Sequence, residues 1–226
     1  MNSDQCWLKN NCKKLHCNDA NGCLILYKLN YLYNEAMVPL NLRANKALFP
    51  DDDGTDLNEF KQLKSIQEDI LNWVNEGNNL LIHSKQAGNG KSSWSLKLLQ
   101  AYFNKIWLKT PLKCRALFIN VPYFLIALKD NISNKSTYIE HIKQNILDCD
   151  LVIWDDIGNK NSTDYEASNL LSMIDGRMIS GKANIFTSNL SDAEMHEALG
   201  DRLYSRICNY GTNITLNGGD KRKFKQ

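Results

Sequence analysis

Ala87-Gly88-Asn89-Gly90-Lys91-Ser92-Ser93 follows the apolar run Leu80-Leu81-Ile82 and precedes an amphipathic segment. A strand that passes through a glycine-rich turn into Lys-Ser at the start of a helix is typical of a P-loop nucleotidase. Glycines let backbone N–H groups close on phosphate oxygens, Lys91 pairs the β- and γ-phosphates, and Ser92 offers its hydroxyl to Mg²⁺. The stretch therefore predicts a binding site for ATP and Mg²⁺.

One position departs from the pattern G-x-x-x-x-G-K-[ST], because Lys85 stands where the first glycine is expected. This substitution suggests a tighter or differently shaped turn, although Gly88 and Gly90 keep the positions nearest the phosphates. An ordinary strand-turn-helix with glycines in its turn would give the same short motif. The residues downstream favour the phosphate-binding interpretation.

A second apolar run, Leu151-Val152-Ile153-Trp154, ends in the paired acids Asp155 and Asp156. It indicates a buried parallel strand that brings two carboxylates to the carboxyl edge of a sheet. In that setting Asp155 would hold Mg²⁺, and Asp156 would orient or deprotonate the attacking water. Alone, such a pair is more often a solvated loop or a helix cap.

A third apolar strand, residues 183–187, ends in Ser188 and Asn189. The Asn189 amide would lie where it can contact the γ-phosphate or the lytic water, and the alternative is a simple turn residue. Four or five short apolar strands alternate with helical patterns along the chain. They predict an α/β fold with a central parallel sheet between helices.

The amino-acid composition is that of a globular protein without membrane spans. The chain has 226 residues, of which 43% are hydrophobic and 23% charged, as in ordinary globular proteins. No apolar run reaches the about 20 residues of a membrane span, and the N-terminus lacks the apolar core of a signal peptide. A cytoplasmic protein is expected. The net charge of +2 does not by itself indicate nucleic-acid binding.

Four of the seven cysteines, Cys6, Cys12, Cys17 and Cys23, lie near the N-terminus. Disulfides are unlikely in a reducing cytosol, so the cluster predicts a structural Zn²⁺ held by four thiolates, with His16 as a substitute for one of them. The spacing lacks C-x-x-C pairs, and a cysteine-rich leader without metal is the alternative. A leader this short would need the metal to fold.

Composition changes divide the chain into three parts. Residues 1–36 form the Cys-rich, zinc-binding module, in which residues 24–33 are predicted to be a helix packed on the metal. Residues 37–56 form a linker that contains Pro39, Pro50 and an acidic run. Residues 57–226 form the nucleotide-binding domain.

These motifs occur in order with a fourth, Gly200-Asp201-Arg202-Leu203-Tyr204-Ser205-Arg206-Ile207. The set resembles the AAA+ ATPases of the DnaC/DnaI helicase-loader group, particularly its phage-type members, over residues 60–220. The resemblance implies an AAA+ core in which Arg206 reaches the ATP site of the neighbouring subunit. A guanidinium suits a γ-phosphate whose charge grows during transfer. Alternatively, Arg202 and Arg206 share a helix face and pair with acids such as Asp201.

The resemblance also implies partners. The cysteine-rich module would dock on a hexameric replicative helicase, and residues 121–135, with Tyr123, Phe124, Lys129 and Lys135, would contact single-stranded DNA. An amphipathic helix with solvated lysines would have the same composition. The helical lid of many AAA+ proteins is absent or minimal, and Arg222 is a weak substitute for its nucleotide sensor.

The function that follows is an ATP- and Mg²⁺-dependent loader of a replicative helicase, assembled as a homo-oligomer with ATP between subunits. Asp156 in place of a glutamate is expected to slow hydrolysis. Two alternatives stay open: an IstB-type transposition-helper ATPase, and a non-hydrolytic ATP-binding module that inhibits a host helicase or loader. Turnover measurements and helicase capture would separate these three functions.

Overall fold

Five parallel strands make up one sheet in the computed structural model, which describes residues 6–8, 23–43, 48–50, 53–158 and 163–221. The strand order is β2-β3-β4-β1-β5. The strands are β1 (Asn79–His83), β2 (Ala116–Asn120), β3 (Leu151–Asp155), β4 (Ala183–Ser188) and β5 (Thr212–Thr215). The predicted α/β fold with a five-stranded parallel sheet is confirmed.

Helices cover both faces of this sheet. The helices of the described residues are α1 (Leu24–Glu35), α2 (Leu57–Glu68), α3 (Ile70–Asn75), α4 (Lys91–Ile106), α5 (Val121–Asp130), α6 (Thr137–Asn145), α7 (Asp164–Ile179) and α8 (Asp192–Cys208). Leu80 and Ile82 of β1 face a core that includes α1 to α4, whereas Leu81 faces the core of α5 to α8. Burial on both faces explains why these strands are continuous apolar runs rather than alternating ones.

Local signals fix where several helices begin. Thr163 with Glu166, and Ser191 with Glu194, form capping boxes at the starts of α7 and α8.

Helix α8 contains a non-helical residue, Gly200, with φ 69° and ψ 163°. None of the helices in the described ranges is long and apolar enough to cross a membrane.

Helix α1 packs on two sides. The described part of the cysteine-rich leader contacts it as predicted, because the Trp7 ring meets the Tyr33 ring edge-on, with 5.2 Å between the centroids, and Trp7 Nε1 donates to Asn30 Oδ1 at 2.8 Å. Its buried residues also join the core that contains β1 and α4, which the sequence did not predict. The Tyr33 ring meets the Phe103 ring of α4 edge-on, with 5.0 Å between the centroids. The reason is that Leu26, Leu29 and Leu32 form a stripe wide enough to reach that core. The boundaries after residues 36 and 56 stay predictions.

The last described strand, β5, is followed by a segment that returns to residues 84–90, the loop between β1 and α4, which we call the phosphate loop. The Asp56 carboxylate accepts hydrogen bonds from the backbone N–H groups of Asn217 and Gly218, at 2.7 to 3.0 Å. The N–H of Lys221 donates to the carbonyl of Gly88 at 3.0 Å. No lid helix follows β5 up to residue 221, the last residue described.

Candidate nucleotide site

The loop between β1 and α4 has the backbone geometry of an anion cradle. Gly88 and Gly90 have φ of +82° and +106°, in the left-handed region that favours glycine, and α4 begins at the next residue, Lys91. A Cβ added to Gly90 would meet nothing within 4 Å, so the dihedral angle rather than crowding requires glycine there. Helix α4 therefore presents its free N–H groups and its positive dipole end beside the loop.

Lys85 fits the loop without a glycine. It is exposed, and it is not among the described residues with positive φ. The departure from the full motif therefore costs no backbone strain at this position.

The Lys91 ammonium group points into the loop. Its Nζ donates to the carbonyl of Gln86 at 2.8 Å and to Asn89 Oδ1 at 3.2 Å, and lies 3.4 Å from the carbonyl of Ser84. Asn89 is almost fully buried, and its amide donates to Ser84 Oγ at 2.6 Å and to the carbonyl of Leu216 at 3.1 Å. Asn89, predicted with the rest of the loop to bind the nucleotide, thus also joins the loop to the segment after β5.

Asp155 lies at the end of β3 among three hydroxyl or amide groups. Thr187 of β4 donates its hydroxyl to Asp155 Oδ1 at 2.8 Å, and the side chains of Ser92 and Asn120 lie near enough to affect the pKa of this carboxylate. Burial raises the pKa of Asp155 above its ordinary value, while Ser92, Thr187 and Asn120 act in the opposite direction. The structure thus brings together Ser92 and Asp155, the two predicted Mg²⁺ ligands.

Sequence reasoning missed Asn120 and gave Thr187 no role. Each lies at the carboxyl end of a strand that neighbours β3 in the sheet, β2 for Asn120 and β4 for Thr187. Polar residues at that edge of a parallel sheet are typical of ligand sites. The signal was present in the sequence, but it becomes usable only with the strand order.

Asp156 has a left-handed backbone with φ of 61°, which aspartate tolerates better than most residues. Its N–H donates to Thr187 Oγ1 at 2.9 Å, and its carboxylate accepts a hydrogen bond from the Asn189 amide. Asn189 is exposed at the end of β4. The structure therefore pairs Asn189 directly with Asp156, a contact that the sequence did not predict.

Replacing Asn189 with alanine should lower ATP turnover by about 10- to 100-fold, because Asp156 loses the donor that orients its carboxylate. The affinity for ATP should stay within about twofold if Asn189, as predicted, acts on the lytic water. Steady-state kinetics and an equilibrium binding titration measure the two quantities. The control is Asn72→Ala, an exposed amide on α3. An equal loss of affinity and turnover would contradict this role.

Arg206 lies on another surface. Its Nε donates to the Asp175 carboxylate of α7, and its guanidinium lies 5.5 Å from the centre of the Tyr210 ring. The acid expected to pair with it, Asp201, is 90% exposed and lies 3.2 Å from His196 Nε2 instead. Gly200 interrupts α8 just before Asp201, whereas Asp175 faces Arg206 from the neighbouring helix. Arg206 therefore pairs with an acid, as the alternative interpretation expected, but the acid is Asp175 and not Asp201.

The stretch predicted to contact DNA is only partly exposed. Residues 121–130 form α5, and Lys135 lies exposed beyond its end. Phe124 and Leu125 are buried in the core, so neither side chain is free to stack on a base. Tyr123 is 58% exposed and packs edge-on against Tyr138. Phe124 is buried because its position in α5 faces the sheet.

The cysteine cluster is incompletely described. Cys12, Cys17 and His16 lie outside the described residues, as does Arg222. Cys6 and Cys23 are half-buried and pack against the core shared by α1 and α4. Zinc binding by the four cysteines stays a prediction.

Comparisons with known proteins bear on this arrangement. No protein-family model matches the chain. It is 28% identical over 126 residues to the replicative helicase loader DnaC of Escherichia coli K12, a match to 56% of this chain and 49% of the relative. The same figures hold for DnaC of Shigella flexneri. The chain thus spans about half the length of the curated relatives it matches.

Solved structures share the fold. The crystal structure of the DnaC helicase loader gives a TM-score of 0.61 at 17% identity, over 75% of this chain and 94% of that one. DnaI gives 0.59 at 17% identity, over 82% and 94%. AMPPCP-bound DnaA from Aquifex aeolicus gives 0.56 at 19% identity, over 79% and 51%. The resemblance predicted from the motifs, to AAA+ proteins of the DnaC/DnaI helicase-loader family, is confirmed in sequence by the DnaC match and in fold by these structures.

Proposed function

We propose that this chain is an ATP- and Mg²⁺-dependent loader of a hexameric replicative helicase onto single-stranded DNA. Two observations at the ends of β3 and β4 carry the proposal. Ser92 lies beside Asp155, and the Asn189 amide donates a hydrogen bond to Asp156. The match to DnaC supplies the helicase-loading role. ATP hydrolysis and helicase binding are separate properties, and each can be measured without the other.

The residues of the loop fit ATP and Mg²⁺. Gly88, Gly90 and the start of α4 offer backbone N–H groups to phosphate oxygens, and Lys91 is already directed into the loop. Ser92 and Asp155 provide the hard oxygen ligands that Mg²⁺ prefers. Ser92 and Asp155 would hold Mg²⁺, which would supply positive charge beside the β- and γ-phosphates, and Lys91 would pair with phosphate oxygens.

Asp156 is the proposed base for the attacking water. Its position just after β3 places the carboxylate next to the metal-binding Asp155, and the Asn189 amide holds one of its oxygens. Aspartate is one methylene shorter than glutamate, so we expect slow turnover. A protein that binds ATP but shows no turnover with or without single-stranded DNA would instead fit the non-hydrolytic inhibitor.

Arg206 is proposed to act on the ATP site of a neighbouring subunit. Its side chain is 40% exposed, and its contacts among the described residues are on α7, α8 and the residues just after them, not in its own phosphate loop. When subunits assemble, its guanidinium would have to leave Asp175 and bind the γ-phosphate of the neighbour. The open pocket around it, lined by Leu171, Arg202 and Ser205, leaves room for a partner.

Replacing Arg206 with alanine should lower turnover by at least about 100-fold, as expected for an arginine that stabilises the transferring phosphoryl group. Mixing this variant with Lys91→Ala subunits should restore part of the activity, because each supplies the residue that the other lacks at a shared site. Turnover of the two variants alone and mixed measures this. Arg202→Ala, in the same pocket, is the control.

The pair with Asp175 offers a purely structural alternative for Arg206. In that case Asp175→Asn would reduce turnover as strongly as Arg206→Ala, and the mixture would regain nothing. If Arg206 acts across subunits, Asp175→Asn should keep most of the activity.

The surface of α5 supports the DNA contact. Tyr123 and Ile126 are 58% and 61% exposed, and Lys129 lies on the exposed end of the helix. Aromatic and basic groups together suit stacked bases and phosphates. The buried Phe124 takes no part.

The test of the function combines nucleotide and helicase binding. The purified chain should bind ATP, hydrolyse it faster with single-stranded DNA, and co-purify with the replicative helicase of the same source. Hydrolysis without helicase capture would favour the IstB-type transposition helper. An inability to bind ATP would overturn the proposal.

A further inference from the structure

Three metal-ligating side chains meet away from the phosphate loop, at the edge of the sheet formed by β2. They are Glu35 at the end of α1, Cys114 just before β2, and His141 on α6. One donor atom from each lies within 4.8 Å of the other two. Among the described residues, these three side chains lie close enough together to hold a metal ion. They share no residue with the cysteine cluster predicted from the sequence.

The side chains of His141 and Cys114 both contact the backbone carbonyl of Glu35. His141 Nε2 lies 2.8 Å from the backbone carbonyl of Glu35 and 4.0 Å from its carboxylate. Cys114 Sγ lies 3.7 Å from the same Glu35 carbonyl. Cys114 is 8% exposed, and the side chains of His141 and Glu35 are 28% and 30% exposed, so the cluster is sheltered but open on one side.

We propose that Glu35, Cys114 and His141 bind Zn²⁺. Thiolate, imidazole and carboxylate are the ligands that zinc takes in proteins, and three of them leave a fourth position for water. Bond lengths of about 2.0 to 2.3 Å in a tetrahedral site place the donor atoms about 3.3 to 3.6 Å apart. The site therefore closes with side-chain movements of about 1 Å.

The metal would join three elements that are distant in sequence. Helix α1 already contacts this edge through one backbone hydrogen bond, from Phe118 N–H of β2 to the carbonyl of Ala36 at 2.8 Å. Zinc would add a three-point link between the end of α1, the start of β2 and α6. Since zinc binding adds directly to folding free energy, its main effect would be to hold α1 on the nucleotide-binding core.

Cobalt is the probe that tests this site, because a thiolate bound to Co²⁺ gives a charge-transfer absorption in the near ultraviolet. The full chain carrying Cys12→Ser and Cys17→Ser, which removes the predicted leader site, is titrated with Co²⁺ and then Zn²⁺. We expect uptake of about one equivalent, the thiolate band, its loss on adding Zn²⁺, and a higher melting temperature with Zn²⁺.

The variants identify the ligands. In the same background, Cys114→Ser should remove the band, and His141→Gln should weaken Co²⁺ binding by more than about 100-fold, since even outer partners of a metal site are worth 10- to 100-fold. The controls are Cys208→Ser, another buried cysteine, and His196→Gln, an exposed histidine. They should bind Co²⁺ as the background protein does.

Two results would overturn the proposal: no Co²⁺ uptake by the background protein, or a thiolate band that survives Cys114→Ser. If the double-serine background does not fold, elemental analysis of the otherwise unmodified chain replaces it. His141→Gln should then lose about one equivalent of zinc relative to the unmodified chain, and equal zinc in both would contradict the assignment.

Discussion

Replacing Asp155 with asparagine is expected to lower ATP turnover by at least about 100-fold and, at neutral pH, to raise the melting temperature of the nucleotide-free protein. The activity falls because an amide is a poorer Mg²⁺ ligand than a carboxylate. The stability rises because burial makes the ionised carboxylate unfavourable in the folded chain. Asparagine keeps the acceptor for the Thr187 hydroxyl without that charge.

The pH dependence gives the sign of this effect. The folded pKa of Asp155 is raised above the ordinary 3.8, so between the two values the folded state holds more protons than the unfolded state. The contribution of Asp155 to stability therefore falls as the pH rises through that interval. The stability advantage of Asp155→Asn should be small in acid and reach its full size above the folded pKa.

Thermal unfolding of both proteins across a pH series measures the difference. Asp148→Asn, a change at an exposed carboxylate, is the control and should leave both turnover and melting temperature close to those of the unmodified chain. A variant that is inactive and also less stable at neutral pH would contradict the account, because it would mean that Asp155 stabilises the fold.

Replacing Arg177 with methionine is expected to lower the free energy of unfolding by about 3 to 5 kcal/mol, because several buried acceptors lose a donor and each unsatisfied group costs about 1 to 3 kcal/mol. Arg177 of α7 has 0% exposure. Its guanidinium donates to the carbonyls of Ile146, Cys149 and Ala183 at 2.5, 3.0 and 2.6 Å. Its Nε donates to Asn184 Oδ1 at 2.8 Å.

Methionine fills a similar volume but donates no hydrogen bond. It would leave these acceptors buried without their donor, at the point where α7 meets the starts of β3 and β4. Urea unfolding monitored by circular dichroism measures the loss. Lys182→Met is the matched control, because the contacts of Lys182 are partly exposed: an ion pair with Asp150 at 3.9 Å and a hydrogen bond to the carbonyl of Asp148 at 3.2 Å. It should change stability by less than about 1 kcal/mol. A loss below about 1 kcal/mol for Arg177→Met would contradict its role.

The sheet could be predicted because its strands are apolar runs with clear ends. Residues 151–154 and 183–187 are buried almost throughout, and each is followed by the polar residues that form the site. The phosphate loop could be predicted because glycine, lysine and serine are adjacent in sequence. Local chemistry was sufficient for these features.

What could not be predicted depends on contacts between distant residues. The sequence around Arg177 looks like an ordinary helix surface, and its acceptors come from three other parts of the fold. Asp175 and Arg206 form a contact although they are 31 positions apart in the sequence, and Glu35 and His141 do so at a separation of 106. No spacing rule reports such pairs.

The packing of α1 shows the same limit. Its apolar stripe was expected to pack on the leader, and Trp7 of the leader does contact the helix, but the sequence did not predict the larger contact with α4. The structure supplies the partner, α4 and the core around Leu80 and Ile82.

The central claim is that ATP bound by this loop drives helicase loading, and it is tested most directly by counting helicase hexamers on circular single-stranded DNA. The chain, the replicative helicase of the same source and ATP are combined with the DNA, and bound helicase is measured after gel filtration. The unmodified chain should raise the amount of helicase bound to the DNA, and Lys91→Ala, although folded, should not. Equal loading with Lys91→Ala, or no increase with the unmodified chain, would contradict it.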